Sequence, residues 1–472
     1  MPLASATQVT SETQPENPLR EEIAYLGEKL GDTIAMLEGR AALELVERLR
    51  RLSWERRSRA TDDEELHRLI GELDFTQLRT VIRAFTIFLD LVNLAEDRQR
   101  VRVLRDRRRA AHPGPSKESV RSAIEHLKEA GVAADDVQQI VDRLQIELVF
   151  TSHPTEAKRT SIRRKLRRLR ELVIETDDEQ TPAEQEATNR LIQTELVKLW
   201  QTDFIRPWRP SVMQEVRRGL SMKPVLWNVA PQVLGDLRDA VCRAYPDADL
   251  EVRSCLRYGS WIGGDRDGHP GVTPEVTEQT IIWLRNAALQ FQIQACSEVF
   301  ESLSFSHRQV DFGPELQTRL DSACQRWTEL EAELATIPPN EVCRRWIRVM
   351  HWRLRQTQCV TLDHWNVPGA YRVATELRND VEALLQAIAK SPAAHLLETE
   401  IWTWLDRIET FGLHLARLDV RQDARQYRPV MDELLKAAGL SAEPEKLSEA
   451  QRQPVLVDSL DKRLQIPSSA LS

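Results

Sequence analysis

The chain of 472 residues is long enough for one large domain or about three of average size. A hydrophobic fraction of 41% and a charged fraction of 29% exclude a disordered or collagen-like protein. The net charge of −8 argues against a nucleic-acid or membrane-surface protein, unless a local basic patch makes the contact. Glycine is scarce, at 17 residues, which favours a mainly helical fold.

The amino-terminal part of the chain is predicted to be helical after a polar lead. Residues 1–17 carry polar residues and prolines and no signal-peptide pattern, so we expect a disordered lead there. Residues 18–145 form an N-terminal helical region, in which apolar residues recur every three or four positions. One helix near Val81–Ala95 is expected to bury a single face, made of Ile82, Phe85, Phe88, Leu89 and Val92.

Strand-like segments are few and lie in the remainder, residues 146–472. They are Glu147–His153, Val252–Trp261 and Leu413–Arg421, separated by long stretches of helical sequence. Strands that alternate with helices predict a parallel α/β arrangement. Because helices far outweigh strands, any barrel is expected to be small and enclosed by helices.

His153 ends the first strand in Thr-Ser-His-Pro-Thr-Glu, and a basic helix follows at once. Between Lys158 and Arg170 there are eight basic residues and no acidic one. Ile162, Leu166, Leu169 and Val173 should form the buried face of this helix. The functional interpretation is a proton-transferring histidine beside a cationic surface for a phosphorylated anion. The structural alternative, which spacing alone favours, is a strand-ending histidine and a solvated basic face.

The second motif is a glycine-rich turn. Five of the 17 glycines fall between Gly259 and Gly271, around the sequence Asp265-Arg266-Asp267. Thr273 is predicted to cap the helix that follows. Arg266 is a candidate for binding an anionic substrate in this turn. The alternative is an arginine held by the two neighbouring carboxylates to stiffen the loop.

The third motif is the strand Leu413–Arg421. Side chains alternate across a strand, so Arg417, Asp419 and Arg421 should share one face. Two arginines beside one aspartate could bind a phosphate or carboxylate with paired hydrogen bonds. An internal set of ion pairs that needs no ligand is the equal alternative.

Six cysteines show no Cys-x-x-Cys spacing and no histidine cluster, so no zinc site is expected. Free thiols in a reducing cytoplasm are the expected state. No run of about 18 apolar residues predicts a membrane span.

Together the three motifs resemble the phosphoenolpyruvate carboxylase family. The segments SHPTE, SWIGGDRDGHPGVTPEVT and LARLDVRQ stand in family order, and LGEKLGDTI, AFTIFLDLVNLAED, LWQTDFIRPWRP and EVRRGL are also similar to family sequence. The resemblance covers Leu19 to about Arg463. It implies the carboxylation of phosphoenolpyruvate with bicarbonate to oxaloacetate and phosphate, an anaplerotic reaction that feeds the tricarboxylic acid cycle.

The resemblance also implies roles for single residues. His153 would take the proton from the carboxyphosphate intermediate, and Arg421 would bind phosphoenolpyruvate. Arg159 and Arg206 stand where the family places arginines of a sugar-phosphate activator site. Thr160 replaces a second adjacent arginine there, and His269 replaces a common asparagine in the glycine turn.

The family fold is mainly α, with many helices around a (β/α)8-type barrel, of which this chain would supply only the first three strands. Family chains are roughly twice as long, so we expect the amino-terminal half of the enzyme, with part of the active site. No metal ligand is expected in this chain. Magnesium ligands and the family tetramer would need the carboxyl-terminal half. The alternative function is a non-catalytic helical interaction or regulatory protein derived from the enzyme.

Overall fold

The computed structural model describes residues 18–59, 64–151, 158–176, 179–204, 210–267, 269–361 and 363–460. His153 and Arg206 therefore lie outside the described residues. The described part of the chain is mainly helical with one small parallel sheet. Its elements, in chain order, are α1 (Pro18–Leu37), α2 (Arg40–Arg59), α3 (Glu64–Gly71), α4 (Phe75–Ala111), α5 (Val120–Glu129), α6 (Ala134–Arg143), β1 (Ile146–Phe150), α7 (Thr160–Glu175), α8 (Pro182–Trp200), α9 (Val212–Gly219), α10 (Lys223–Ala244), β2 (Leu256–Ser260), α11 (Pro274–Ser302), α12 (Glu315–Arg326), α13 (Leu330–Leu334), α14 (Val342–Cys359), α15 (Ala374–Ile388), α16 (Ala394–Leu397), α17 (Thr399–Phe411), β3 (Arg417–Leu418), α18 (Ala424–Ala437) and α19 (Glu449–Leu460).

The chain divides into two compact units that interleave along the sequence. One comprises Met1–Ser119 and Pro154–Arg209, and the other Val120–His153 and Pro210–Ser472. The first unit contains α1 to α4, α7 and α8, and the second contains the sheet and the other helices. The division into domains 18–145 and 146–472 stays a prediction. No helix in the described ranges is long and apolar enough to cross a membrane.

The first unit confirms the buried face predicted for α7. Ile162, Leu169 and Val173 are almost fully buried there. The face predicted for α4 is wrong in part, because Ile82 and Leu89 are more than half exposed. Instead, α4 buries another stripe of its surface: Val81, Ala84, Ile87, Leu91 and Leu94. The helix has apolar residues on more than one face, so periodicity alone could not identify the buried one.

Helix starts follow the expected cap chemistry. In α4 and α8, Asp74 and Thr181 each accept a hydrogen bond from the backbone N–H three residues on, and the side chain at that position bonds back to the cap. Thr273 caps α11 as predicted, with Pro274 at the first helical position. The Thr273 hydroxyl bonds to Glu275 and lowers the pKa of that carboxyl. The cap therefore fixes where the glycine-rich turn ends.

The sheet has the order β1-β2-β3, and both pairings are parallel. β1 and β2 are shorter than the predicted strands; β2 lies within its prediction, and β1 begins one residue before its prediction and ends three residues earlier. The third prediction, a strand over Leu413–Arg421, is wrong in length, because only Arg417 and Leu418 form β3. Leu415 has a positive φ of 64°, which breaks the alternation of side chains. After the end of α17 at Phe411, the chain therefore joins the sheet only at Arg417.

An aromatic stack joins the sheet to its helices. The ring of Tyr258 on β2 lies 5.2 Å from that of Phe411 and nearly parallel to it. Phe411 also contacts Trp227 of α10, and Trp227 stacks on Phe291 of α11. Aromatic pairs of this kind add about 0.5–1.5 kcal/mol beyond the burial of their area. The stack thus anchors the central strand to three helices.

A buried amide holds the turn that leads into β3. The Gln292 side chain of α11 accepts a hydrogen bond from the Trp404 indole at 2.9 Å. It donates one to the carbonyl of Gly412 at 3.0 Å. Both Gln292 and Trp404 are fully buried. This amide therefore sets the point from which the chain returns to the sheet.

Two glycines in the turn after β2 have physical reasons to be glycine. Gly263 has a φ of +89°, which L side chains rarely adopt. A Cβ on Gly264 would lie 2.3 Å from the backbone oxygen of Asp419. The turn therefore packs main chain against main chain, next to the end of β3.

We predict that Gly264→Ala lowers the free energy of unfolding by about 1–3 kcal/mol, because the added methyl group overlaps a backbone that cannot move without breaking the sheet. Gly235→Ala is the matched control. No atom lies within 4 Å of a Cβ at that helical position. The control should be neutral or stabilise by up to about 1 kcal/mol. Urea denaturation followed by circular dichroism measures both variants, and equal stabilities would contradict the proposed packing.

Candidate active site

The carboxyl ends of the three strands meet at one edge of the sheet. Phe150 pairs with Ser260, and Ser260 pairs with Leu418, so the strands end almost level. The segments that follow them are the ones singled out in the sequence. Residues 152–157, with the predicted catalytic His153, lie outside the described residues. The other two segments supply the strand-end cluster, defined here as Trp261, Asp265, Arg266, Asp419 and Arg421.

Main-chain hydrogen bonds join the glycine turn to the end of β3. The Arg266 N–H donates to the Arg421 carbonyl at 2.8 Å, and the Arg421 N–H donates to the Gly264 carbonyl at 3.0 Å. Asp265 and Arg421 thereby form a parallel bridge beyond the end of the sheet. Residues about 156 positions apart in sequence are held side by side. The geometry of the cluster is thus set by the backbone.

Arg421 lies over an aromatic platform. Its guanidinium carbon is 4.2 Å from the centre of the Trp261 ring, a cation–π distance. The Trp261 indole donates to Asp419 Oδ2 at 3.0 Å, which fixes the plane of the ring. Arg421 Nη1 also donates to Asp265 Oδ2 at 3.4 Å. The platform and the carboxylate together orient the guanidinium.

The Arg421 side chain remains 44% exposed. Among the described residues, Asp265 is the single side chain that accepts a hydrogen bond from it, at the long distance of 3.4 Å. A guanidinium has five N–H donors in a planar fork. Most of these N–H groups can therefore donate to a phosphate or carboxylate. The two alternatives for this strand were anion binding and an internal set of ion pairs. The Arg421–Asp265 ion pair is present, but it uses only a small part of the hydrogen-bonding capacity of Arg421.

Arg266 has a hydrogen-bond partner that the sequence did not suggest. Its Nη2 donates to the Thr277 hydroxyl at 3.3 Å, and that hydroxyl donates to the Gly263 carbonyl at 2.9 Å. Within the described ranges it forms no ion pair with Asp265 or Asp267, so the idea of an arginine held by both carboxylates is wrong. Its buried Nε has no acceptor among those residues. A substrate-binding role stays a prediction.

The carboxylates at this edge do not form a magnesium site. Asp265 is paired with Arg421, and Asp419 accepts from Trp261. No group of three or more histidine, cysteine, aspartate or glutamate side chains with metal-binding geometry occurs in the described part of the chain. A divalent ion needs several oxygen ligands. These residues therefore offer no metal site, and no step through a metal is assigned to them.

Arg159, one of the two predicted activator-site arginines, lies in the first unit. It stands just before α7, and its Nη1 donates to the Asp203 carbonyl at 3.2 Å. Asp203 precedes Arg206 by three positions. Lys158 next to it pairs with Asp90, and Arg168 pairs with Glu171. Part of the basic surface is therefore neutralised within the chain, whereas the structural alternative expected a solvated basic face.

Sequence reasoning missed Trp261 and Thr277 as partners of the two arginines. Trp261 follows β2 directly, and Thr277 lies in the first turn of α11. An aromatic residue between a strand and a glycine turn was a visible signal. Its contact with Arg421, however, depends on which strands are neighbours, and this cannot be read from local sequence.

The six cysteines are free, as predicted.

Comparison with known proteins gives the family of the chain. The family model described as phosphoenolpyruvate carboxylase matches residues 19–472. A phosphoenolpyruvate carboxylase of Roseiflexus castenholzii is 36% identical over 93% of this chain and 48% of its own length. Those of Rhodothermus marinus and Nocardia farcinica are 33% and 32% identical, over 94% and 97% of this chain and 48% and 49% of their own lengths. The chain thus spans about half the length of these curated relatives. It belongs to the phosphoenolpyruvate carboxylase family.

Proposed function

We propose that this chain provides part of the active site of a phosphoenolpyruvate carboxylase, a carboxy-lyase that converts phosphoenolpyruvate and bicarbonate to oxaloacetate and phosphate. The observation that carries the proposal is Arg421, oriented by Trp261 and Asp265 with most of its donors open. It lies at the carboxyl edge of a parallel sheet, which is where the active sites of α/β-barrel enzymes are found. The relatives from Roseiflexus castenholzii and Rhodothermus marinus are phosphoenolpyruvate carboxylases, which supports this reaction.

Arg421 is suited to bind phosphoenolpyruvate because that substrate carries a phosphate and a carboxylate. The planar fork of a guanidinium binds either group with two parallel hydrogen bonds. Phosphoenolpyruvate and bicarbonate are both anions, so their approach is unfavourable unless fixed positive charge offsets the repulsion. Arg421 would supply one such charge, and Trp261 restricts the rotation of its side chain. Arg266, with its free Nε, is the second candidate.

His153 is proposed as the proton acceptor. The bicarbonate oxygen attacks the phosphoryl group of phosphoenolpyruvate, which gives carboxyphosphate and the enolate of pyruvate. His153 would take the proton of carboxyphosphate, which then releases carbon dioxide for attack by the enolate carbon. Histidine is the side chain best suited to proton transfer near neutral pH. The support is its position in the sequence, three residues after the end of β1.

The remaining parts of the catalytic site would come from outside this chain. A bound magnesium ion would stabilise the enolate oxygen, and its ligands are expected from the other half of the family's sequence. Three neighbouring parallel strands are the arrangement that the start of a (β/α)8 barrel would give. Ile146, Leu148 and Val149 of β1 are exposed, and further strands of a barrel would cover them.

Regulation and assembly are proposed from family resemblance. Arg159 and Arg206 would bind a sugar-phosphate activator; Arg159 donates to the carbonyl of Asp203, which stands three positions before Arg206 in the sequence. Thr160 in place of a second arginine should weaken such a site. The complete enzyme would be an allosteric tetramer in the cytoplasm that replenishes the tricarboxylic acid cycle. If the chain acts without the other half, the alternative is a non-catalytic interaction or regulatory protein.

An activity assay separates the enzyme from the non-catalytic alternative. The chain alone should produce no oxaloacetate above background, because three strands cannot close a barrel and its described residues offer no metal site. Addition of the carboxyl-terminal half of a close relative should give turnover with magnesium and bicarbonate present. A coupled assay for oxaloacetate measures both. Turnover by the pure chain, or a mixture that forms a complex without any activity, would contradict the proposal.

In the active complex, Arg421→Ala should weaken phosphoenolpyruvate binding by about 2 kcal/mol, or about 30-fold. Arg421→Lys keeps the charge but not the fork and should give an intermediate loss. Arg428→Ala is the matched control, since this arginine is exposed on α18 outside the strand-end cluster. The Michaelis constant is the measurement. An unchanged constant in Arg421→Ala would remove the arginine from the substrate site.

His153→Asn should separate the two halves of the reaction. The asparagine cannot take the proton, so phosphoryl transfer should persist while carboxylation fails. Phosphate should then be released without a matching amount of oxaloacetate. Phosphate and oxaloacetate are measured in the same sample, with unsubstituted complex as the control. Equal amounts of both products in the variant would show that His153 has another role.

A further inference from the structure

A pocket in the second unit, apart from the strand-end cluster, has a chemistry that the proposed reaction does not use. It has a volume of about 600 Å³ and lies between α12, α14, α15 and the loop 366–370. Its lining shares no residue with the strand-end cluster. Pockets that hold small metabolites have volumes of about 300–1,000 Å³. The pocket is therefore of suitable size for a ligand.

The charge of the lining is positive. Four arginines contribute to it: Arg319, Arg326, Arg353 and Arg372. The lining contains two carboxylates, Glu376 and Asp380. The net charge of the pocket is thus +2 with both carboxylates ionised. Like charges this close repel one another unless they are neutralised.

Both carboxylates are taken by one of the arginines. Arg353 Nη1 donates to Asp380 Oδ2 at 2.6 Å, and its Nη2 donates to Glu376 Oε2 at 3.1 Å. Its Nε holds the Gly369 carbonyl at 3.1 Å, and its guanidinium lies 3.9 Å from the centre of the Tyr371 ring. Arg353 is thus a structural residue that joins α14 to α15 and the loop. It is the arginine of this lining that forms the ion pairs with Glu376 and Asp380.

The side chains of the other three arginines form no ion pair in the described ranges, although Arg319 lies close enough to Asp380 to interact with it electrostatically. Arg372 donates to two neutral oxygens, Asn366 Oδ1 at 2.6 Å and the Trp365 carbonyl at 3.5 Å. Arg319 and Arg326 are exposed and lie seven residues apart on α12, about two helical turns. Neither forms an ion pair with any carboxylate in the described ranges. Arg326 and Arg372 each lie 5.2 Å from an aromatic ring, that of Trp327 and that of Trp365, so both have an aromatic contact but no carboxylate partner in the described ranges.

We propose that this pocket binds a small, multiply charged oxyanion through Arg319, Arg326 and Arg372. Guanidinium forks recognise phosphate and carboxylate groups equally well in geometry. Trp327 gives the pocket an apolar wall, and the exposed amide of Asn379 offers further hydrogen bonds. Three separate arginines suit an anion with two or more charged groups better than a single monovalent ion.

Isothermal titration calorimetry on the full chain tests this inference, with inorganic pyrophosphate and malonate as the probes. These two ions distinguish a phosphate ligand from a dicarboxylate, and acetate is the monovalent comparison. The ionic strength is kept at about 0.15 M, where weak attraction to exposed charges is screened. Neither probe nor readout requires turnover, so failure of the proposed reaction would leave this test intact.

The test variant is Arg319→Gln/Arg326→Gln, and the matched control is Arg308→Gln/Arg355→Gln. All four arginines are exposed, and both pairs of substitutions remove the same charge. The single variant Arg326→Gln covers the case in which the double variant loses its fold, and circular dichroism checks each protein. Arg308 and Arg355 do not line the pocket.

We expect at least one probe to bind, with about a tenfold or greater loss of affinity in the pocket variant and less than a twofold change in the control. Tighter binding of pyrophosphate identifies a phosphorylated ligand, and tighter binding of malonate identifies a dicarboxylate. Binding of neither probe overturns the proposal. An equal loss of affinity in both variants also overturns it, because the effect would then come from net charge alone.

Discussion

Two main-chain hydrogen bonds between the glycine turn and the end of β3 determine the geometry of the candidate site. They place Arg421 beside Asp265 and above Trp261, so the side-chain contacts follow from the backbone pairing. Gly264 makes the pairing possible because its main chain lies directly against that of Asp419. β3 has only two residues, and it would be a weak element without this extension. The site and the sheet thus stabilise each other.

The sequence predicted those features that depend on local chemistry. The approximate positions of β1 and β2, the buried face of α7 and the Thr273 cap were all predicted from apolar spacing, turn residues and cap preference. Such signals are read from a few neighbouring residues, which determine them directly. The motifs that follow the strands also showed the resemblance to the family. Their order along the chain is the order of the parallel strands in the sheet.

Features that depend on distant parts of the chain were not predictable. The reversed backbone at Leu415 shortens the third strand, and a leucine gives no local signal for a positive φ. The partner of Arg266 is Thr277 rather than a neighbouring carboxylate, since the turn directs the side chain toward α11. The buried face of α4 was only partly found, because Ile82 and Leu89 continue an apolar pattern on an exposed surface. In each case tertiary contacts decided the outcome.

The buried amide of Gln292 has a chemical consequence for the chain. Its oxygen accepts from Trp404 and its nitrogen donates to Gly412, so its orientation is fixed by two groups with opposite requirements. Deamidation would replace the nitrogen with oxygen and place a negative charge beside the carbonyl of Gly412. A buried acceptor facing another acceptor is strongly unfavourable. Loss of one ammonia molecule at this position would therefore disturb the turn that delivers Arg421, although the two residues are far apart in sequence.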